Sequence, residues 1–171
     1  VANNFDSSQF DNYGQLYLSS GARVSGLQNY AGGLIQGSGT LEGRASFANA
    51  TGSFVNNGTI RAQGGLLNIV VPGNLDGQFT NNGRIEVMQG SRLSFSENNL
   101  VSMFSSGDTF SGGGTWAAYA GEGSADIEFN PGNLFGGGVK TLGDVNLILS
   151  GNGANFVSIA SNGQRLSLNN T

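Results

Sequence analysis

A chain of 171 residues is long enough to bury a core and short enough for one domain. Its 37% hydrophobic content with 11 Phe excludes a disordered chain, which lacks the aromatic residues needed to offset ordering entropy. A formal charge of −4 with only 7 basic residues leaves no patch for neutralising phosphates, and no Cys or His is present for disulfides, thiolate chemistry or the common nucleophile–base pairs.

In chain order, one phrase keeps returning. It is an apolar or aromatic residue, then Asn, then Gly, then an alternating apolar run. The first copy is Phe10-Asp11-Asn12-Tyr13-Gly14-Gln15-Leu16, followed by Leu27-Gln28-Asn29-Tyr30-Ala31-Gly32-Gly33-Leu34-Ile35. Two closer copies are Phe54-Val55-Asn56-Asn57-Gly58-Thr59-Ile60 and then Phe79-Thr80-Asn81-Asn82-Gly83-Arg84-Ile85. A late copy runs from Ile159 through Asn162-Gly163 to Leu166 and Leu168. Counted at an apolar residue shortly after the Gly, the steps from Leu16 to Ile35, Ile60 and Ile85 are 19, 25 and 25, and the remaining 81 to Leu166 have room for about four more.

Period-two alternation puts one face of a strand inward. Asn-Gly marks a tight corner, because Asn bonds its own backbone and Gly accepts positive φ. Corner and strand repeating at roughly 20 to 25 residues is the pattern of a solenoid. Asn-Gly is also the strongest hairpin signal, so an antiparallel sandwich is the competing fold, although a sandwich does not need a constant turn period. Between Asn98 and Gly151 the period is harder to follow. Ser96 to Phe104 reads as a short capped helix or a strand, Gly112 to Gly114 opens a strand at Trp116, Ala125 to Phe129 alternates, and Val139 to Leu149 holds two strands. The expected inward residues are Phe54, Ile60, Leu67, Ile69, Phe79, Ile85, Val87, Leu93, Phe95, Ile127, Phe129, Leu147, Leu149 and Leu166. Asn57-Gly58 is expected to stack on Asn82-Gly83.

Candidate sites are few. Asp126 and Glu128, two apart on a strand, suit the paired carboxylates of glycoside hydrolysis, but thinly scattered charge favours a solvated strand face. Asp108, Asp126 and Asp144 recur at intervals of 18 and would stack as a calcium ladder, yet each of Asp108 and Asp144 follows a Gly and suits a turn. Gly37-Ser38-Gly39-Thr40-Leu41-Glu42-Gly43 lacks the nucleotide-binding spacing and a following helix, so its glycines read as corners. Trp116 with Tyr119, and Tyr13, Tyr17 and Tyr30, would make a sugar-stacking strip if they faced outward; the repeat favours core or corner packing. No catalytic, cofactor-binding or metal-binding residue is assigned, and no cofactor is expected.

The Leu27 to Gly33 and Gly37 to Gly43 segments, with the repeated Phe-x-Asn-Asn-Gly-x-Ile, resemble the repetitive right-handed β-helix regions of large bacterial surface proteins, of the autotransporter-passenger and filamentous-haemagglutinin kind. The resemblance spans most of residues 10 to 95 and returns at Leu142 to Leu168. It implies an exported, extracellular or cell-surface, structural or adhesive stalk, and carries over no functional residues.

The expected fold is therefore all-β, a right-handed parallel β-helix (β-solenoid) of about eight coils forming a single domain over residues 1–171. Neither end reads as a cap, and Val1 stands where a full-length chain has Met. Joining Thr171 of one copy to Val1 of the next would separate Leu166 from the next Leu16 by close to one coil period. The expected partner is accordingly the chain itself, head to tail in a longer stacked or tandem array, with extracellular polysaccharide as a second partner, no nucleic acid and no membrane span. The expected role is structural and non-enzymatic, with a surface adhesin or carbohydrate-binding module, and then a polysaccharide-processing enzyme, as the alternatives.

Overall fold

The computed structural model describes residues 2–5, 9–45, 51–71, 76–97, 109–111, 114–121, 125–130, 139–143, 146–151, 157–160 and 165–169, with side chains over 9–44, 53–70, 79–95, 114–117 and at 127. The described residues are all-β, with no helix. The strands are β1 (Ala2–Phe5), β2 (Phe10–Asn12), β3 (Gln15–Asn29), β4 (Leu34–Ala45), β5 (Thr51–Asn56) and β6 (Thr59–Val71). They continue with β7 (Asp76–Asn81), β8 (Arg84–Val87), β9 (Ser91–Glu97), β10 (Thr109–Ser111) and β11 (Thr115–Gly121). The last are β12 (Ala125–Asn130), β13 (Val139–Gly143), β14 (Asn146–Gly151), β15 (Val157–Ala160) and β16 (Arg165–Asn169).

Pairing among the described residues is parallel everywhere except between β4 and β5, where Arg44 faces Ser53 and Ala45 faces Gly52. The antiparallel sandwich is therefore not the arrangement. The pairings fall into three ladders. The first joins the start of β3 to β4, β6, β8, β11 and β14, and aligns Leu16, Ile35, Ile60, Ile85, Trp116 and Leu147. The second joins the middle of β3 to β4, β6, β9, β12 and β15, and aligns Leu41, Ile69, Phe95 and Phe129. The third joins β2 to the end of β3, then β5, β7, β10, β13 and β16, with Phe54, Phe79, Phe110, Leu142 and Leu168 in register from β5 onward. From β3 onward the chain visits these ladders in one repeating order, first, second, third.

Alternation explains which side chains go inside. Phe54, Ile60, Leu67, Ile69, Phe79, Ile85, Val87, Leu93, Phe95 and Ile127 are all buried, as the period-two pattern requires. The side chains of Phe129, Leu147, Leu149 and Leu166 lie outside the described ones. Phe79 ties the three ladders together: its ring is 5.4 Å from Phe54 in the third, 4.9 Å from Phe95 in the second and 5.9 Å from Trp116 in the first. These edge-on contacts add about 0.5–1.5 kcal/mol each beyond area burial.

Two details differ from the sequence reading. Beyond Ile85 the step in the first ladder lengthens: the next rungs are Trp116 and Leu147, each further along the chain than an even period allows. Leu166 is not the next rung of that ladder but pairs with Lys140 in the third. The first ladder has six rungs and the third seven among the described residues. The longer connections from β9 to β10 and from β12 to β13 lengthen the two later steps of the first ladder, which a constant period cannot anticipate. The Ser96 to Phe104 segment is strand at Ser96 and Glu97, within β9, and beyond that lies outside the described residues.

Because Phe79 sits where all three ladders meet, Phe79→Ala is expected to lower unfolding free energy by about 3–5 kcal/mol. Leu66→Ala, at a residue 49% exposed, should shift it by no more than about 0.5 kcal/mol. Urea midpoints of the two variants measure the difference.

Candidate binding face at the stacked corners

The corner phrase has three positions with three separate duties. The first is an Asn two residues after an inward aromatic or Leu, and therefore on the same face of its strand. Asn12, Asn29, Asn56 and Asn81 are buried, the last three completely. A buried amide is tolerable only if its donors and acceptor find partners. Here each carboxamide nitrogen donates to the carboxamide oxygen of the next rung: Asn12 to Asn29 at 2.8 Å, Asn29 to Asn56 at 2.7 Å and Asn56 to Asn81 at 2.8 Å. The same nitrogens also donate to the backbone carbonyls of Leu34, Thr59 and Arg84, and Asn81 donates to that of Thr115, at 3.2–3.4 Å. From sequence these Asn read as corner residues; they are core residues.

The third position is Gly. Gly58 and Gly83 are not among the positive-φ glycines, so a left-handed backbone is not the reason for them. The reason is close approach. A Cβ on Gly58 would lie 2.2 Å from the carbonyl oxygen of Gly33, and one on Gly83 would lie 2.0 Å from that of Gly58. The approach serves the backbone ladder: the N–H of Thr59 donates to the Gly33 carbonyl, Arg84 to Gly58 and Thr115 to Gly83, at 2.8–2.9 Å.

The middle position points to solvent. It is Tyr13, Tyr30, Asn57 and Asn82 in successive rungs. Tyr13 and Tyr30 stack with ring centroids 4.4 Å apart and 19° between planes. Asn82 donates to Asn57 at 2.9 Å, so the two Asn-Gly corners do lie one on the other.

Beside the corners, on the outer face of the first ladder, Glu86 is 7% exposed and accepts from Arg61 Nε at 2.6 Å and Arg84 Nε at 2.5 Å. Arg61 also donates to Gln36 at 3.1 Å, one rung back. Burial pushes the Glu86 carboxyl up, but hydrogen bonds from Arg84 and Arg61 outweigh it and hold the group below the usual Glu range. An open groove of about 520 Å³ runs between these features. Gly32, Gly33, Gly58 and Gly83 line it, together with Leu34, Asn57, Thr59, Arg61, Asn82 and Arg84.

The other sequence candidates are not drawn together here. Asp126 and Glu128 lie in β12, opposite Arg92 and Ser94 of β9, with side chains outside the described ones. Asp108 and Asp144 lie outside the described residues, among which no three metal-capable side chains cluster. Gly37 and Gly39 sit inside β4 with φ of 132° and 142°, and a Cβ on Gly37 would meet the Leu18 carbonyl at 2.0 Å. Trp116 is buried, Tyr13 and Tyr17 are 63% and 47% exposed, and the Tyr119 side chain is outside the described ones. No helix among the described residues is long and apolar enough to cross a membrane.

Two outcomes are expected from the corner. Asn56→Ala removes an acceptor for Asn29 and a donor for Asn81, so unfolding free energy should fall by about 2–4 kcal/mol, whereas Asn57→Ala costs about 0.5 kcal/mol or less. The pair of denaturation curves separates a core Asn from a surface one. The lowered Glu86 value means that its stabilisation is complete above the unfolded Glu pKa of about 4.3 and disappears as pH falls through the lower folded value. Glu86→Gln should therefore flatten the acid limb of a melting-temperature profile and leave its slope near neutrality unchanged.

A comparison with family models, with curated proteins and with solved structures finds no match to this chain.

Proposed function

We propose that the three parallel ladders are the flanks of a right-handed parallel β-helix, and that the chain is a structural extracellular protein whose coils continue from copy to copy in a filament, stalk or sheath. The observation that carries this reading is the register of the corners, where Asn12, Asn29, Asn56 and Asn81 lock each rung to the next. The cyclic order of the ladders suits a helical winding, and parallel crossovers are right-handed in nearly all proteins. Such a column carries load along its axis through backbone hydrogen bonds, and each rung offers the next the same set of donors and acceptors. A second copy is thus a suitable neighbour, head to tail. Charge is sparse, with 11% of residues charged, so cohesion of this kind depends little on salt. The likeness of the repeat to bacterial surface β-helices supports the same role and an address outside the cell.

Electron microscopy of the purified chain is expected to show filaments or end-to-end oligomers, with sedimentation well above one copy. A monodisperse 17.5 kDa species at all concentrations would overturn the assembly. An experimental structure with antiparallel flanks would overturn the β-helix.

A further inference from the structure

We propose that the Asn57-Gly58 corner is a self-modification site, where the Asn57 carboxamide closes on the Gly58 backbone nitrogen and is converted to aspartate and isoaspartate. Asn82, one rung on, is the donor that favours the step. This concerns a single chain and does not require copies to assemble.

The chemistry begins with residue order. In an Asn-Gly pair the side-chain carbonyl carbon and the next backbone nitrogen can join in a five-membered ring, and Gly has no side chain to obstruct the approach. Asn57-Gly58 and Asn82-Gly83 are two such pairs, and both Asn are exposed. The Asn before each, Asn56 and Asn81, is followed by Asn instead of Gly and is completely buried, with its carboxamide held in the inner column. The reaction therefore falls on the middle position of the corner, which neither the core nor the close backbone approach constrains.

The geometry then separates the two pairs. As a nitrogen attacks Asn57 Cγ, negative charge develops on Oδ1. Asn82 Nδ2 donates to that oxygen at 2.9 Å, the distance expected of a donor serving an oxyanion. Asn82 takes part in this bond through its nitrogen, so its own carbonyl gains nothing from it. The attacking nitrogens differ as well. The Gly83 N–H donates to the Asn56 carbonyl at 3.0 Å and has to leave that bond before its nitrogen can attack. One rung earlier the equivalent bond from Gly58 to the Asn29 carbonyl is not made, and that carbonyl accepts from the Asn57 N–H at 2.7 Å. Asn57 thus combines a polarised carbonyl with a nitrogen not held by that bond, and Asn82 has neither advantage.

The step balances with water as the only co-reactant, and nothing is oxidised or reduced. A bond forms between Gly58 N and Asn57 Cγ, the Cγ–Nδ2 bond breaks, and Nδ2 leaves as ammonia with the proton given up by the Gly58 nitrogen. One water then opens the cyclic imide. Opening at Cγ gives aspartate; opening at the Asn57 backbone carbonyl gives isoaspartate, whose main chain runs through the former side chain and is longer by one carbon.

A longer main chain does not fit this corner. A Cβ on Gly83 would lie 2.7 Å from the Asn57 carbonyl carbon and 2.9 Å from Gly58 N, so the next rung rests against the atoms that move. The Gly58 carbonyl also accepts from the Arg84 N–H at 2.8 Å, where β8 begins its pairing with β6. Conversion therefore loosens the step from the Ile60 rung to the Ile85 rung, and Asn57 is a slow timer on the cohesion of the stack.

The test is to age the whole chain in mildly alkaline buffer made with water enriched in heavy oxygen. Tryptic cleavage after Arg44, Arg61 and Arg84 puts Asn57 and Asn82 on separate peptides, which are followed by mass spectrometry with fragmentation that distinguishes isoaspartate. Asn57 is expected to convert several-fold faster than Asn82, to take up one heavy oxygen, and to lower the melting temperature of the aged protein. Asn82→Ala and Asn82→Asp, which both remove the donor, should melt as the fresh parent does and slow conversion at Asn57 several-fold. Asn57→Ala should keep its melting temperature on ageing. Equal or reversed rates at the two Asn, or no conversion, overturn the site. Unchanged or faster conversion in both Asn82 variants overturns the part given to Asn82, and an equal loss of melting temperature on ageing Asn57→Ala overturns the timer. None of these results bears on whether filaments form, so the two proposals fail separately.

Discussion

A polar side chain held in an apolar stack has to be satisfied at a fixed spacing, and this requirement organises the structure. The carboxamides of Asn12, Asn29, Asn56 and Asn81 reach one another at 2.7–2.8 Å only when their rungs lie directly in line. Hydrophobic contact alone tolerates sliding, since an Ile packs acceptably against several neighbours. An amide column does not. A slip of one residue would turn each Asn and its partner aromatic to solvent and bring polar neighbours inside. Each bond is worth only about 1 kcal/mol net, but an orphaned amide in this setting costs more than that. The ladder thus acts chiefly by penalising the alternatives.

The same corner also separates structural demands from free choice. Its first position is fixed by the interior, its last by the carbonyl that fills the space a Cβ would need. Only the position between them is released from both. There the chain changes from a tyrosine pair to an asparagine pair while the Asn before it stays the same. Surface chemistry varies along the corners without disturbing the register that supports it, a suitable arrangement for a recognition face on a repeating scaffold. The arginines nearby are anchored in a similar way: Arg61 and Arg84 are both held by the buried Glu86, and Arg61 by Gln36 as well.

Much of this is legible in the sequence. Alternation picks out the buried positions from Phe54 to Ile127, and the repeated phrase places one Asn-Gly corner over the other. What misleads is residue type. Asn beside Gly has so strong an association with turns that the first Asn reads as part of the corner. Its parity with Phe54 and Phe79, two residues earlier, gives the opposite answer, because alternation continues through Asn56 and Asn81 into the corner. The glycines are likewise expected for positive φ and are needed for backbone proximity, a three-dimensional fact that one strand's sequence does not contain. Leu166 aligns with Ile85 only on the assumption of an even period. Insertions between strands do not alter pairing, only the count between pairs.

The carboxamides all point the same way, nitrogen toward the later rung. Reversing one of them would bring two NH2 groups face to face at one junction and two oxygens at the other. The four therefore turn together or not at all, and their aligned dipoles give the stack a sense of direction, with chemically different poles.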